Sequence, residues 1–254
     1  MSLKEKNKES ETKSAKTENH HTHGIRHRRK FKDFLFEFIM LFLAITGGFF
    51  TENLRESNAD RHKEKEYVVS LINDIEIDTA NIQRILKIHQ KQIKGIDSLL
   101  ILLNRSVPKN KLQRFYELTF KYLNNYEGFT PSDITMTQLK NSSGLSLIEK
   151  KLVSDSIIIY YSDIQYFRDL NEKMNYQLVD EAVKLEMVFL DFNAIENKTW
   201  KFFDRRRIRE FNNRAIIFKD ALSWDNHCLK DIYKEGSSLL KYLKQEYNIK
   251  SEIK

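Results

Sequence analysis

Proline is almost missing from this chain, with two in 254 residues, and glycine (seven) and cysteine (one) are nearly as scarce. So few turn-formers weigh against a sandwich or barrel of many short strands. The Leu/Ile/Lys-rich, strongly charged remainder points to long helices. Cys228 stands alone, so no disulfide can form within the chain, and one thiol does not decide the redox compartment. Its bland reading is a small buried hydrophobe. No glycine-rich phosphate loop, HExxH, CxxC or GxSxG occurs, and no spacing of serines, histidines and carboxylates marks a triad. Catalytic activity, a cofactor and a metal ion are therefore not expected.

The basic excess is local. The chain carries a net +7, but residues 1–33 hold ten Lys/Arg against five Asp/Glu, and the rest is close to neutral. The pI is thus no argument for nucleic acid as a partner of the folded part. Residues 1–30 read as a disordered basic tail, too polar to offset their ordering entropy by burial. His20, His21, His23 and His27 could hold a metal ion loosely, but a solvated tail is the plainer reading, since no carboxylate or thiol completes a defined set with them.

What is present is one long apolar run, Phe34 to Phe50 (FLFEFIMLFLAITGGFF), with a single charge. Extended by Phe31 and Leu54, residues 31–54 read as one transmembrane helix, since about 20 residues cross about 30 Å of hydrocarbon. Arg26, Arg28, Arg29, Lys30 and Lys32 crowd its upstream flank, which favours a cytoplasmic N-terminus and a periplasmic bulk in a bacterial inner membrane. A cleaved signal peptide is the rival reading, disfavoured by the 33-residue preface. Within the span Glu37 is the membrane acidic candidate. A headgroup-level carboxylate is the plainer interpretation, and a proton-carrying part of an ion-coupled complex the alternative. Ala44 and Gly48, with Gly47 beside them, form a small-residue pair through which two helices can approach closely, so self-association is an expectation.

Residues 55–247 read as a helical bundle, and 248–254 as a polar end. From Val68 apolar residues recur in steps of four and three: Ile72, Ile75, Thr79, Ile82, Leu86, His89, Ile93, Ile96, Leu100 and Leu103, with Leu71, Ile85 and Leu99 alongside. A stripe that wide fits a bundle better than a two-stranded coiled coil. His89 reads as a hydrogen-bonded core residue. Asp74 and Asp78 read as a solvated acidic face, with a cation or a hydrolytic role as the sharper option. Asn104–Asn110 reads as a turn and residues 111–127 as an aromatic helix. A helix capped by Thr130 runs to Asn141 and closes on a left-handed Gly144, and Ser146 and Glu149 form a capping box. A long helix of some 45 residues follows from Val153, then two more, 208–222 and 226–247, broken at Ser223-Trp224-Asp225-Asn226. The expected fold is all-α: a transmembrane helix continuing into an antiparallel bundle of long helices. If the long helix returns along the first, Trp200, Arg205, Arg206, Arg207 and Arg209 come to the bilayer surface as a headgroup patch.

Three segments carry a family resemblance: the span with Glu37, its Gly pair and the exit TENLRE; EKEYVVSLINDIEID, residues 64–78; and TMTQLKNSSGLSLIEKKLVSDSIIIYY, residues 135–161. Together they resemble a domain-of-unknown-function family of single-span inner-membrane proteins of Bacteroidota-type bacteria. The resemblance covers roughly residues 31–195. The chain departs from it in a longer His-rich tail, and in Asn53-Leu54 where the family carries Asn-Trp. It implies an inner-membrane, mostly helical protein and no particular activity. The function expected is protein interaction or sensing by a periplasmic bundle.

Overall fold

The computed structural model describes residues 26–103, 109–123, 126–189 and 205–249, with isolated positions between 191 and 199. The described residues form five α-helices and no strand: α1 (Arg26–Leu103), α2 (Leu112–Tyr122), α3 (Ile134–Asn141), α4 (Lys151–Phe189) and α5 (Arg205–Glu246). The chain divides into two compact units, Met1–Ser57 and Asn58–Lys254. In the first, the described residues belong to α1, and its side chains from Lys30 onward are exposed. Among the described residues α1 is the one helix long and apolar enough, by length and composition, to cross a membrane, and its apolar stretch lies in this unit.

In the second unit the stripe read from the sequence is the buried face of α1. Val68, Leu71, Ile75, Ile82, Ile85, Ile96 and Leu99 are fully buried. The core lies in two clusters. One gathers Val68–Ile85 of α1 with Val153–Phe167 of α4 and Leu229–Leu243 of α5. The other gathers Ile96–Leu103, Phe115 and Tyr116 of α2, and Ile208–Leu222 of α5. Between them lies a polar layer. His89 of α1 is fully buried. Its Nε2 donates to the Glu127 carbonyl (2.9 Å), Nδ1 pairs with the Asn226 carboxamide (3.1 Å), and the ring stacks on Tyr126. The Tyr126 hydroxyl lies 2.7 Å from Asn171 Oδ1 and 2.8 Å from Asp225 Oδ2. His89 is thus the satisfied core histidine that its place in the stripe suggested.

Several sequence readings need correcting. α5 is continuous through Ser223-Trp224-Asp225-Asn226. Each supposed breaker has a partner that holds it in the helix: Ser223 Oγ donates to the Lys219 carbonyl, Trp224 stacks on Phe167, Asp225 meets Tyr126 and Asn226 meets His89. α3 begins at Ile134 rather than on a Thr130 cap, and its N-cap Asp133 makes no side-chain capping bond. The left-handed residue is Ser143 (φ 55°), while Gly144 is wanted for space, since a Cβ there would come within 2.8 Å of Leu139. The Ser146/Glu149 capping box does not form; α4 starts at Lys151. The turn expected at Asn104–Asn110 lies largely outside the described residues.

The direction of α4 is the largest correction. Tyr122 sits at Gln92, Glu127 at Arg84, Ser132 at Asp78, Thr135 at Asp74 and Glu149 at Glu64, so α2 and the segment after it run back along α1. α4 therefore begins beside Glu64 and runs in the same direction as α1. α5 is antiparallel to both, pairing Lys219 with Asp97, Gln83 with Tyr233 and Glu64 with Tyr247. The all-α antiparallel bundle stands, but the elements that return along α1 are α2 with the segment after it, and then α5, rather than α4.

Gly95 shows how tightly α2 lies on α1. A Cβ at that position would collide with the Tyr122 ring. Gly95→Ala gains about 1 kcal/mol of helix propensity and loses up to about 3 kcal/mol to overpacking. A net loss of about 1–2 kcal/mol is expected, read as a lower melting temperature of the full chain in detergent. An unchanged or raised melting temperature would mean that α2 is loosely seated.

Candidate functional site

α1 turns three carboxylates inward, and each catches backbone N–H groups of the returning segment. Asp78 Oδ1 accepts from Ser132 N–H (2.7 Å), Asp74 Oδ2 from Thr135 N–H (3.2 Å) and Glu64 Oε1 from Glu149 N–H (3.1 Å). Glu64 also accepts from the Tyr247 hydroxyl. An α-helix leaves its first N–H groups without partners inside the helix. In α3 one of those donors, the Thr135 N–H, is answered by Asp74 of α1, whereas the Ser132 and Glu149 N–H groups lie outside the helix. The solvated acidic face read from the sequence is thus a fastening, buried at Asp78 and half-buried at Asp74, and its donors lie 54 and 61 residues away along the chain.

Asp78 is 0% exposed, and its second oxygen, Oδ2, is buried with no hydrogen-bond partner. Around it stand Asp74 on its own helix, Asp133 and Ser132 of the returning segment, and Tyr160 and Tyr161 of α4. The Tyr160 hydroxyl is also buried and unpartnered; its ring lies against Gly236 of α5, where an added Cβ would come within 3.1 Å. Burial pushes the Asp78 carboxyl from 3.8 up to about 6; the Ser132 N–H opposes the rise and Asp74 adds to it. Burial likewise raises both tyrosines. Strongly perturbed buried groups of this kind mark candidate functional sites.

A cleft of about 590 Å³ opens between α4 and α5. Ile159, Tyr160, Leu239 and Tyr242 line it, with Asp231, Lys234 and Glu235 among its polar residues. Burial raises the Glu235 carboxyl, helped by the charges of Asp163 and Asp231. Beside the cleft α4 carries Leu152, Ile159 and Tyr166 fully outward, at 73%, 60% and 68% exposure. The buried row of α4 is Val153, Ile157, Tyr160 and Ile164; the outward row was not singled out in the sequence. Its signal is an apolar residue at every seventh position.

The residues singled out in the sequence are scattered. Glu37 is exposed on α1. Ala44, Gly47 and Gly48 are exposed too, and nothing lies within 4 Å of a Cβ built on either glycine; Thr51 Oγ1 donates to the Gly47 carbonyl. Arg205, Arg206, Arg207 and Arg209 are exposed on the first turns of α5, flanking the buried Ile208. They share the Leu103 end of the bundle, opposite Glu64 and Tyr247, because α4 does not return along α1. Trp200 lies outside the described residues. Cys228 is half-buried, its thiol raised chiefly by burial. Among the described residues no group of three or more His, Cys, Asp or Glu side chains could hold a metal ion.

No family model, curated protein or solved structure matches this chain. Its functional reading therefore rests on the arrangement of its own residues.

Proposed function

We propose that this chain is a single-span inner-membrane protein whose helical bundle, on the periplasmic side, binds a protein partner, without catalysis. One observation carries the reading: large apolar side chains that this chain leaves uncovered, on α1 from Phe31 to Leu54 and on α4 at Leu152, Ile159 and Tyr166. The 24-residue stretch on α1 rises about 36 Å, enough to cross a bilayer core. Exposed apolar area in water costs roughly 25 cal/mol per Å², so it belongs against lipid or protein. The Lys/Arg bias upstream of Phe34 supports a cytoplasmic N-terminus.

Fractionation tests the anchor. The full chain is expected to stay in the membrane pellet through alkaline carbonate and to dissolve only in detergent. Leu41→Arg with Ile45→Arg, each costing about 2.5–3.5 kcal/mol at the centre of a span, is expected to release it. Release of the unsubstituted chain by carbonate, or a mature N-terminus after Gly48, would sink the proposal.

A further inference from the structure

We propose that the α4–α5 cleft and the outward row of α4 form one docking groove for a basic amphipathic helix of the partner protein. This rests on the interaction reading above and names its surface and its chemistry. Leu152, Ile159 and Tyr166 repeat every seven residues, the interval at which a packed helix presents its seam to another. The row spans 14 residues, about 21 Å of helix, which is the footprint of about four turns of a partner and too long for a small molecule. Ile159 belongs both to the row and to the cleft wall, so the two features are continuous.

Charge selects the occupant. Asp155 and Asp163 lie on either side of the row, and Asp231 and Glu235 face it from α5. Among the described residues Asp155, Asp163 and Glu235 have no ion pair, and Asp231 meets only His227, on the next turn of its own helix. Among the described residues Lys234 is the one cation lining the cleft. Carboxylates crowded together and partly desolvated gain from a cation placed among them. The apolar stems of Lys or Arg suit Tyr160, Leu239 and Tyr242, with the charged heads reaching the acids. The geometry therefore calls for a helix with an apolar seam flanked by Lys or Arg, docked in the helix-in-groove manner.

Two 21-residue synthetic helices with leucine seams, one flanked by lysine and one by glutamate, are titrated against the full chain in zwitterionic nanodiscs. The lysine helix is expected to bind, and to bind at least tenfold more weakly to Ile159→Asp and to Asp163→Lys/Glu235→Lys. The glutamate helix is expected to bind only the charge-reversed variant. That exchange of preference separates the groove from peptide adsorbed to lipid, which is common to all variants. Equal affinity of both helices for the unsubstituted chain, no binding, or no effect of the substitutions overturns the proposal. Self-association of the full chain that Ile159→Asp abolishes overturns it as well, since the occupant is then a second copy. Photocrosslinkers at Ile159 and, as controls, at Ile77 and Ile217 in native membranes separate the two levels. Adducts only at the controls refute the groove and leave the interaction reading standing; adducts nowhere refute both.

Discussion

Asp78→Asn is expected to make the protein more stable at pH 8, by about 1–2 kcal/mol, although it removes a charge that holds a structural hydrogen bond. Asparagine keeps an acceptor for the Ser132 N–H and fits the same volume. It brings no charge into a site that is 0% exposed and already flanked by Asp74 and Asp133. The pH dependence fixes the sign. The folded carboxyl titrates near 6 and the unfolded one near 3.8. Between those values the folded protein keeps a proton that the unfolded chain has released, so stability from this group falls as pH rises through that window. Below it both states are protonated and above it both are ionised, so the contribution is level on either side. Denaturation midpoints of the two proteins should converge near pH 4 and separate as pH rises to 6–7. A variant less stable than the unsubstituted protein at pH 8 would mean that the carboxylate is a net stabiliser and carries no stored cost.

Phe115→Ala is expected to remove about 3–5 kcal/mol, since Phe115 is fully buried and packs on Tyr116 and Phe211. The damage should stay on one side of the polar layer. The cavity opens in the cluster of Ile96–Leu103, α2 and the first half of α5, whereas Val68–Ile85 pack with α4. Hydrogen exchange should show lost protection over residues 96–103, 112–122 and 208–222, with amides of 68–85 protected close to their original level. Uniform loss across both clusters would show that the polar layer does not divide the bundle into separately stable parts.

The contrast between α1 and α5 explains what was legible in the sequence. The stripe on α1 could be read because its spacing is long and regular, and the two polar residues within it, Thr79 and His89, still sit inward. The Ser-Trp-Asp-Asn stretch of α5 carries local turn preferences that lose to Phe167, Tyr126 and His89, which only the tertiary structure brings near. The same holds at the candidate site. Asp74 and Asp78 look like any helical acidic pair until the N–H groups of Thr135 and Ser132 are laid against them. The parallel course of α4 was hidden for a related reason. Helix lengths suggest a hairpin, but α2 and the segment to Lys150 make the return instead. By contrast, the all-α class and the apolar helix near the N-terminus follow from composition and periodicity alone.

The fastening of residues 129–150 to α1 limits how this protein can be taken apart. Grafted onto another scaffold, residues 129–150 would leave Asp78, Asp74 and Glu64 behind and expose the Ser132, Thr135 and Glu149 N–H groups, at a cost of about 1–3 kcal/mol for each one buried. Insertion of one residue in α1 between Tyr67 and Asp74 would turn Glu64 about 100° away from Asp74 and Asp78, so that the three anchors could no longer be engaged at once. The interval of ten and then four residues separating these acids is therefore a dimension of the molecule, and deletions or insertions within it should be tolerated far less than changes of side chain.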